Sequence, residues 1–128
     1  MARIGGNMPL SLIPRSTGEV TVLQCSGRIV AGPEIDNLRK HINSLLPDCR
    51  LILLDLEKVT FIDSMGMGEL VRMLTSARRC GGDLKLCSIS PSAIRVLRIT
   101  NLHKVFEILE NEEHGLKSFR SGSKIAQA

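Results

Sequence analysis

The sequence predicts an α/β fold: one domain with a mixed, mostly parallel β-sheet, an antiparallel edge strand and about four α-helices. Three observations predict it. Short apolar runs of strand type alternate with segments whose apolar residues recur near the helical period. The run LILLDL at 51–56 is continuously apolar, as a central strand covered on both faces must be. Ser16-Thr17-Gly18 is a turn signal between the first two strand patterns, so a hairpin precedes the alternation. The order is β-β-α-β-α-β-α-β-α, which implies right-handed crossovers between parallel strands.

Taken in order, residues 8–15 and 19–26 read as the two strands of the hairpin, the second covered on both faces. Gly32-Pro33 opens a helix, because proline suits the first helical position. Glu34 and Asp36 fall in its first turn, where the helix dipole favours acids. Ile35, Leu38, Ile42, Leu45 and Leu46 make one apolar face, and Pro47 ends the helix. The strand at 51–56 continues through Val59-Thr60-Phe61-Ile62, with a bend at Glu57-Lys58. A second helix runs from about Met65 to Arg79, with Met67, Leu70, Val71, Leu74 and Ala77 toward the sheet. At about 100° per residue, Met65, Glu69, Arg72, Met73, Ser76 and Arg79 take its outward side. Gly81-Gly82 stops it. Leu84–Ile89 is a strand, and Ser90-Pro91 starts a third helix, with Ile94, Val96 and Leu97 inward and Arg95 and Arg98 outward. Asn101 suits a left-handed cap. Val105–Leu109 is the last strand, and 110–119 a weaker helix carrying Leu116 and Phe119, interrupted by Gly115. The domain therefore spans 8–119, and the tail 120–128 lacks a pattern and is expected to be disordered.

Composition narrows the function. The 128 residues are 43% hydrophobic and 23% charged, enough for one real core, which Leu, Ile, Val and Met must build because aromatics are only 2%. Net charge is +4, with both signs interspersed; there is no Lys/Arg block and no aromatic interleaving, which speaks against a nucleic-acid platform. Cys25, Cys49, Cys80 and Cys87 form no C-x-x-C pair and have no histidine at ligand spacing, so no metal is expected, and with no phosphate-binding glycine loop beyond the motif at 61–68 no cofactor is expected either. Cys25 and Cys87 read as small core hydrophobes. A reducing cytoplasm is the expected home, since no run suits a signal peptide or the ~20 apolar residues of a membrane span.

FIDSMGMG, residues 61–68, carries the chemistry. Ser64 is expected to cap the second helix, since serine is a preferred N-cap. Capping does not explain Gly66 and Gly68, each of which weakens a helix by up to ~1 kcal/mol relative to alanine. On the wheel they lie at the flanks of the apolar face and leave the helix mouth bare for a partner. The mouth also suits a phosphate, because a helix N-terminus offers unpaired N–H groups and partial positive charge. A phosphoserine there would change the surface without changing the fold, and Asp63 beside it would add repulsion toward an acidic partner patch. Catalytic readings fare worse. A nucleophile elbow needs a glycine two residues before the serine, and His41, His103 and His114 are not placed as bases. Asp55 lacks the companion acids and lysine of a receiver site and reads as a structural aspartate at the edge of the sheet. No GK[ST] follows the glycines to make a phosphate loop.

VTFIDSMGMGEL, residues 59–70, resembles the signature of STAS domains, and the resemblance extends over roughly 10–118 through LILLDLEKV and LKLCSISPSAIRVLRITNL. It implies an anti-sigma factor antagonist, not an enzyme, with Ser64 as phosphoacceptor. The unphosphorylated form would sequester an anti-sigma factor serine kinase and free a sigma factor, and a serine phosphatase would act on the phosphorylated form. Asp63, Met65, Gly66, Met67 and Gly68 would surround the site, and Arg28, Arg72 and Met73 complete the expected partner surface. The chain departs from the family at Met65, where a second small hydroxyl residue is usual. It departs again at Gly27-Arg28-Ile29-Val30, where the sigma-regulating members often read Gly-Glu-Leu-Asp; Arg28 could pair with a phosphate on Ser64. The alternative is a non-switching accessory or scaffold subunit of a lipid-transport or stress-signalling assembly, with Met65 and Met73 in a constitutive interface.

Overall fold

The computed structural model describes residues 10–48 and 51–127, with side chains described as far as Arg120. Five strands form one sheet in the order β1-β2-β3-β4-β5. They are β1 (Ser11–Thr17), β2 (Val20–Ile29), β3 (Leu51–Ile62), β4 (Asp83–Cys87) and β5 (Ile108–Leu109). The hairpin pair β1/β2 is antiparallel and every later pair is parallel. Helices α1 (Pro33–Leu45), α2 (Ser64–Arg79) and α3 (Pro91–Ile99) are the crossovers, and α4 (Glu112–Gln127) follows the last strand. The expected class is therefore the observed one.

Period-two alternation sends β2, β3 and β4 residues to two separate cores. Leu23, Cys25, Ile52, Leu54, Leu56, Leu84 and Leu86 meet α1, α2 and α3. Val20, Val22, Leu53 and Cys87 meet Phe119 of α4. Because each strand order step runs the same way, the three crossover helices share one face and α4 alone covers the other. Burial pushes the Cys25 thiol up to about 12, and that of Cys87 likewise to about 12, so both are protonated core groups.

Several expectations require correction. The last strand shrinks from 105–109 to Ile108–Leu109, because a 3-10 turn, Leu102–Lys104, follows the left-handed Asn101 and Phe106 turns into the core. Gly115 does not interrupt α4. It is buried, and a Cβ there would meet both Leu53 Cδ atoms at 2.7 Å, so the bare backbone lets α4 lie against β3. The backbone of α4 runs from Glu112 through Gln127. Asp55 is not at an edge. It is buried in the central strand, and its Oδ1 accepts from the Glu57 amide at 3.1 Å. Val96 is exposed, not inward. Residues 8–9 of the expected first strand, and Cys49, lie outside the described residues.

The bend expected at Glu57-Lys58 is a register slip: Gln24 pairs with Asp55 but Ser26 with Lys58, and a second slip falls between Gly27 and Arg28. β3 also runs on past the end of its shorter β4 partner, which pairs only as far as Asp55–Cys87. That overhang carries the chain to Ile62 and delivers FIDSMGMG to the end of the sheet where α2 begins.

Candidate functional site

Asp63, not Ser64, caps α2. Its Oδ1 accepts from the Gly66 amide at 2.7 Å, and its backbone is extended, as an N-cap requires. Its Oδ2 accepts from the Ala31 amide at 3.1 Å, which ties the β2–α1 connection to the helix mouth. The Asp63 amide in turn donates to the Ile29 carbonyl at 3.2 Å. Ser64 falls to the first position inside the helix, where its side chain is exposed and has no capping task.

The two glycines divide the work. Gly66 is buried, and a Cβ on it would collide with the Ile29 carbonyl oxygen and approach Ile62 Cγ2 at 2.9 Å. Its role is close helix–strand packing, which corrects the expectation that it leaves the mouth open. Gly68 is exposed and a Cβ there would meet nothing within 4 Å, so no contact inside the fold requires its glycine. It is the one that leaves the surface bare.

Of the other expected site residues, Met65 stands 62% exposed beside Ser64. Arg72 is exposed further along the same helix. Met67 and Met73 are buried in the main core and are not part of the surface. Met73 and Glu69 were expected to face outward; both are buried because α1 packs along the flank of α2 that a single-faced wheel leaves open. Glu69 there receives Arg39 through two hydrogen bonds, at 2.8 and 3.3 Å, with Arg72 Nε at 3.7 Å. Arg28 is exposed and pairs with Phe61 across the strands, while the next pair, Ile29 and Ile62, turns inward toward α2.

Sequence reading missed an apolar rim. Phe61 is 56% exposed, and with Val59, Ile62, Ile89, Ala93 and the exposed Val96 it lines a groove between the β3 overhang and α3. Phe61 stands inside the quoted motif, and the inward turn of its neighbour Ile62 leaves it outward. Chemically the mouth offers an exposed hydroxyl at a helix N-terminus, a bare glycine and flanking apolar side chains. Among the described residues no cluster of histidine, cysteine, aspartate and glutamate could hold a metal ion. No described helix is long and apolar enough to cross a membrane.

This arrangement of hairpin, one-sided crossovers and strand-to-helix mouth defines a class. The STAS domain family model matches residues 12–115, and the chain belongs to that family. The anti-sigma F factor antagonist of Paenibacillus polymyxa is 31% identical over 68 residues, 53% of this chain and 58% of that protein. The chain thus matches less than two thirds of that relative's length. An anti-sigma factor antagonist from Mycobacterium paratuberculosis superimposes with a TM-score of 0.78 at 20% identity, over 91% of this chain and 97% of that one. The phosphorylated form of the Bacillus cell fate determinant SpoIIAA superimposes with a TM-score of 0.66 at 20% identity, over 85% of this chain and 97% of that one. At these identities the two structures speak for the fold.

Proposed function

We propose that this protein is an anti-sigma factor antagonist, a protein-binding module switched by phosphorylation of Ser64. The observation that carries the reading is the division between two adjacent residues: Asp63 caps the helix, so the exposed Ser64 hydroxyl is left without a structural task. A phosphate there would bring about −1.5 to −2 charges. It would stand in solvent at the positive end of a helix, so the fold tolerates it. A partner seated over Met65, Gly68 and the Phe61–Val96 rim would meet that charge at a desolvated, largely apolar contact, where it is costly. The switch therefore acts on binding and not on folding. The occurrence of a phosphorylated form in SpoIIAA, a structural neighbour, supports the same reading.

In this reading the unphosphorylated protein sequesters a kinase-type anti-sigma factor, that kinase modifies Ser64, and a serine phosphatase restores the binding form. The test is incubation with ATP and candidate kinase-type anti-sigma factors from the same genome, followed by mass spectrometry. Stoichiometric phosphate on Ser64, absent from Ser64→Ala, is the expected result. No phosphate with any candidate, together with a stable complex insensitive to Ser64 substitution, would instead favour a constitutive scaffold subunit held through the apolar rim.

A further inference from the structure

The exposed side of α2 carries one sign of charge. From the mouth onward it presents Ser64, Met65, Gly68, Arg72, Thr75, Arg78 and Arg79, and the only acid on the helix, Glu69, is buried. Arg78 is matched by Asp83 at 3.2 Å. Arg72 is not matched in the same sense. It shares Glu69 with Arg39, which takes both carboxylate oxygens, while Arg72 approaches only through Nε at 3.7 Å. Two guanidinium groups thus face one carboxylate, and the set keeps a net positive charge with unused N–H donors. These groups border a small polar groove between α1 and α2, completed by Asn43 and Ser76. The nearest further acid on α1 is Asp36, one turn before Arg39 and exposed. Gly68, one turn before Arg72, leaves open space on the helix surface between the groove and Ser64.

We propose that this α1–α2 groove is a docking site for an acidic segment of a protein partner. Carboxylates on the segment engage the free edges of Arg39 and Arg72, and its backbone passes over Gly68 toward Ser64. Arginine suits the task because its planar fork matches a carboxylate in two hydrogen bonds. A protein segment fits better than a nucleic acid, since the site is one compact pair without a basic track or exposed aromatic along it. Arg72 lies about 12 Å along the helix from Ser64, so the groove and the phosphoacceptor are separate points on one surface. The inference rests on the reading of α2 as the partner-binding helix, but not on Ser64 being phosphorylated.

The experiment is an amide chemical-shift titration of the isotope-labelled full chain with a peptide of alternating glutamate and alanine. Its lysine counterpart and a single-stranded oligonucleotide serve as parallel probes. The expected result is shifts concentrated at Asn43, Gly68, Arg72 and Ser76, weakened by salt and absent with the lysine peptide. Arg72→Gln should lose them several-fold in apparent affinity, while Arg79→Gln, the same loss of charge on the same helix, should keep them. Neither arginine is buried, so both variants fold. Absent shifts, shifts scattered over the basic surface, or equal loss in both variants would overturn the proposal. Tighter binding of the oligonucleotide to the same residues would overturn it in favour of nucleic acid. A Ser64 that no kinase modifies, alongside peptide shifts at the groove, would refute the phosphorylation reading and leave this one standing.

Discussion

Replacing Asp63 with alanine removes two hydrogen bonds, to Gly66 and to Ala31, and with them the link between the helix mouth and the β2–α1 connection. A loss of about 1–2 kcal/mol is expected in urea unfolding, in line with N-cap deletions. Ser64→Ala should leave stability nearly unchanged, which separates the two neighbours. The glycines separate in the same way. Gly66→Ala drives a methyl group into the Ile29 carbonyl and should cost about 1–3 kcal/mol or more, since backbone cannot yield as a side chain can. Gly68→Ala enters open space and should stabilise the helix by up to about 1 kcal/mol while weakening partner binding. Both measurements need only denaturation curves and a binding assay. At this scale the sequence was legible in type and not in assignment. Aspartate and serine are equally good caps, and nothing local chooses between adjacent positions. The choice is made by the Ala31 amide, far away in the chain. Gly66 and Gly68 likewise look alike until Ile29 is placed beside one of them.

Among the elements, α4 depends on a few specific contacts because it covers its face of the sheet alone. Gly115 lets it approach Leu53, Phe119 enters the second core, and buried Lys85 of β4 reaches Ser118 at 2.9 Å and Glu107 at 3.1 Å. Lys85 Nζ also lies 4.5 Å from the centre of the Phe119 ring. Gly115→Ala should therefore loosen α4 from β3, costing about 1–3 kcal/mol and raising amide exchange in α4 ahead of the rest of the fold. A milder anchor joins β1 to the start of α4: Arg15 and Glu112 pair through two 2.9 Å hydrogen bonds. The hydrogen bond from Arg15, more than its charge, holds the Glu112 carboxyl below its ordinary range. Its folded value being depressed, the stabilisation is present above the unfolded carboxylate value and disappears as pH falls through the folded one. Both groups are partly exposed, so Glu112→Gln should cost well under about 1 kcal/mol at neutral pH, less in high salt, and nothing in strong acid. Element types were readable from period alone, and most boundaries came close. Failures occurred where tertiary contact overrode pattern: Gly115 reads as a breaker until Leu53 explains it, and the buried arc of α2 widens once α1 packs on its flank.

For the whole molecule, the sheet sorts structure from function. The last residues of β3 run beyond the end of the shorter β4, so the expected phosphoacceptor, the bare glycine and the Phe61 rim lie toward one end of the fold. That convergence was only partly legible: the motif was plain in the sequence, but the outward turn of Phe61 and the inward turn of Met67, Glu69 and Met73 depend on packing between elements. A phosphate on the exposed Ser64 would change the charge of that surface and leave both cores as they are. The most direct measurement is the affinity of the unphosphorylated and Ser64-phosphorylated protein for the same kinase-type anti-sigma factor, with thermal unfolding recorded for both forms. The account predicts closely similar melting temperatures and a large loss of affinity on phosphorylation. Equal affinities, or a phosphorylated form that unfolds, would contradict it.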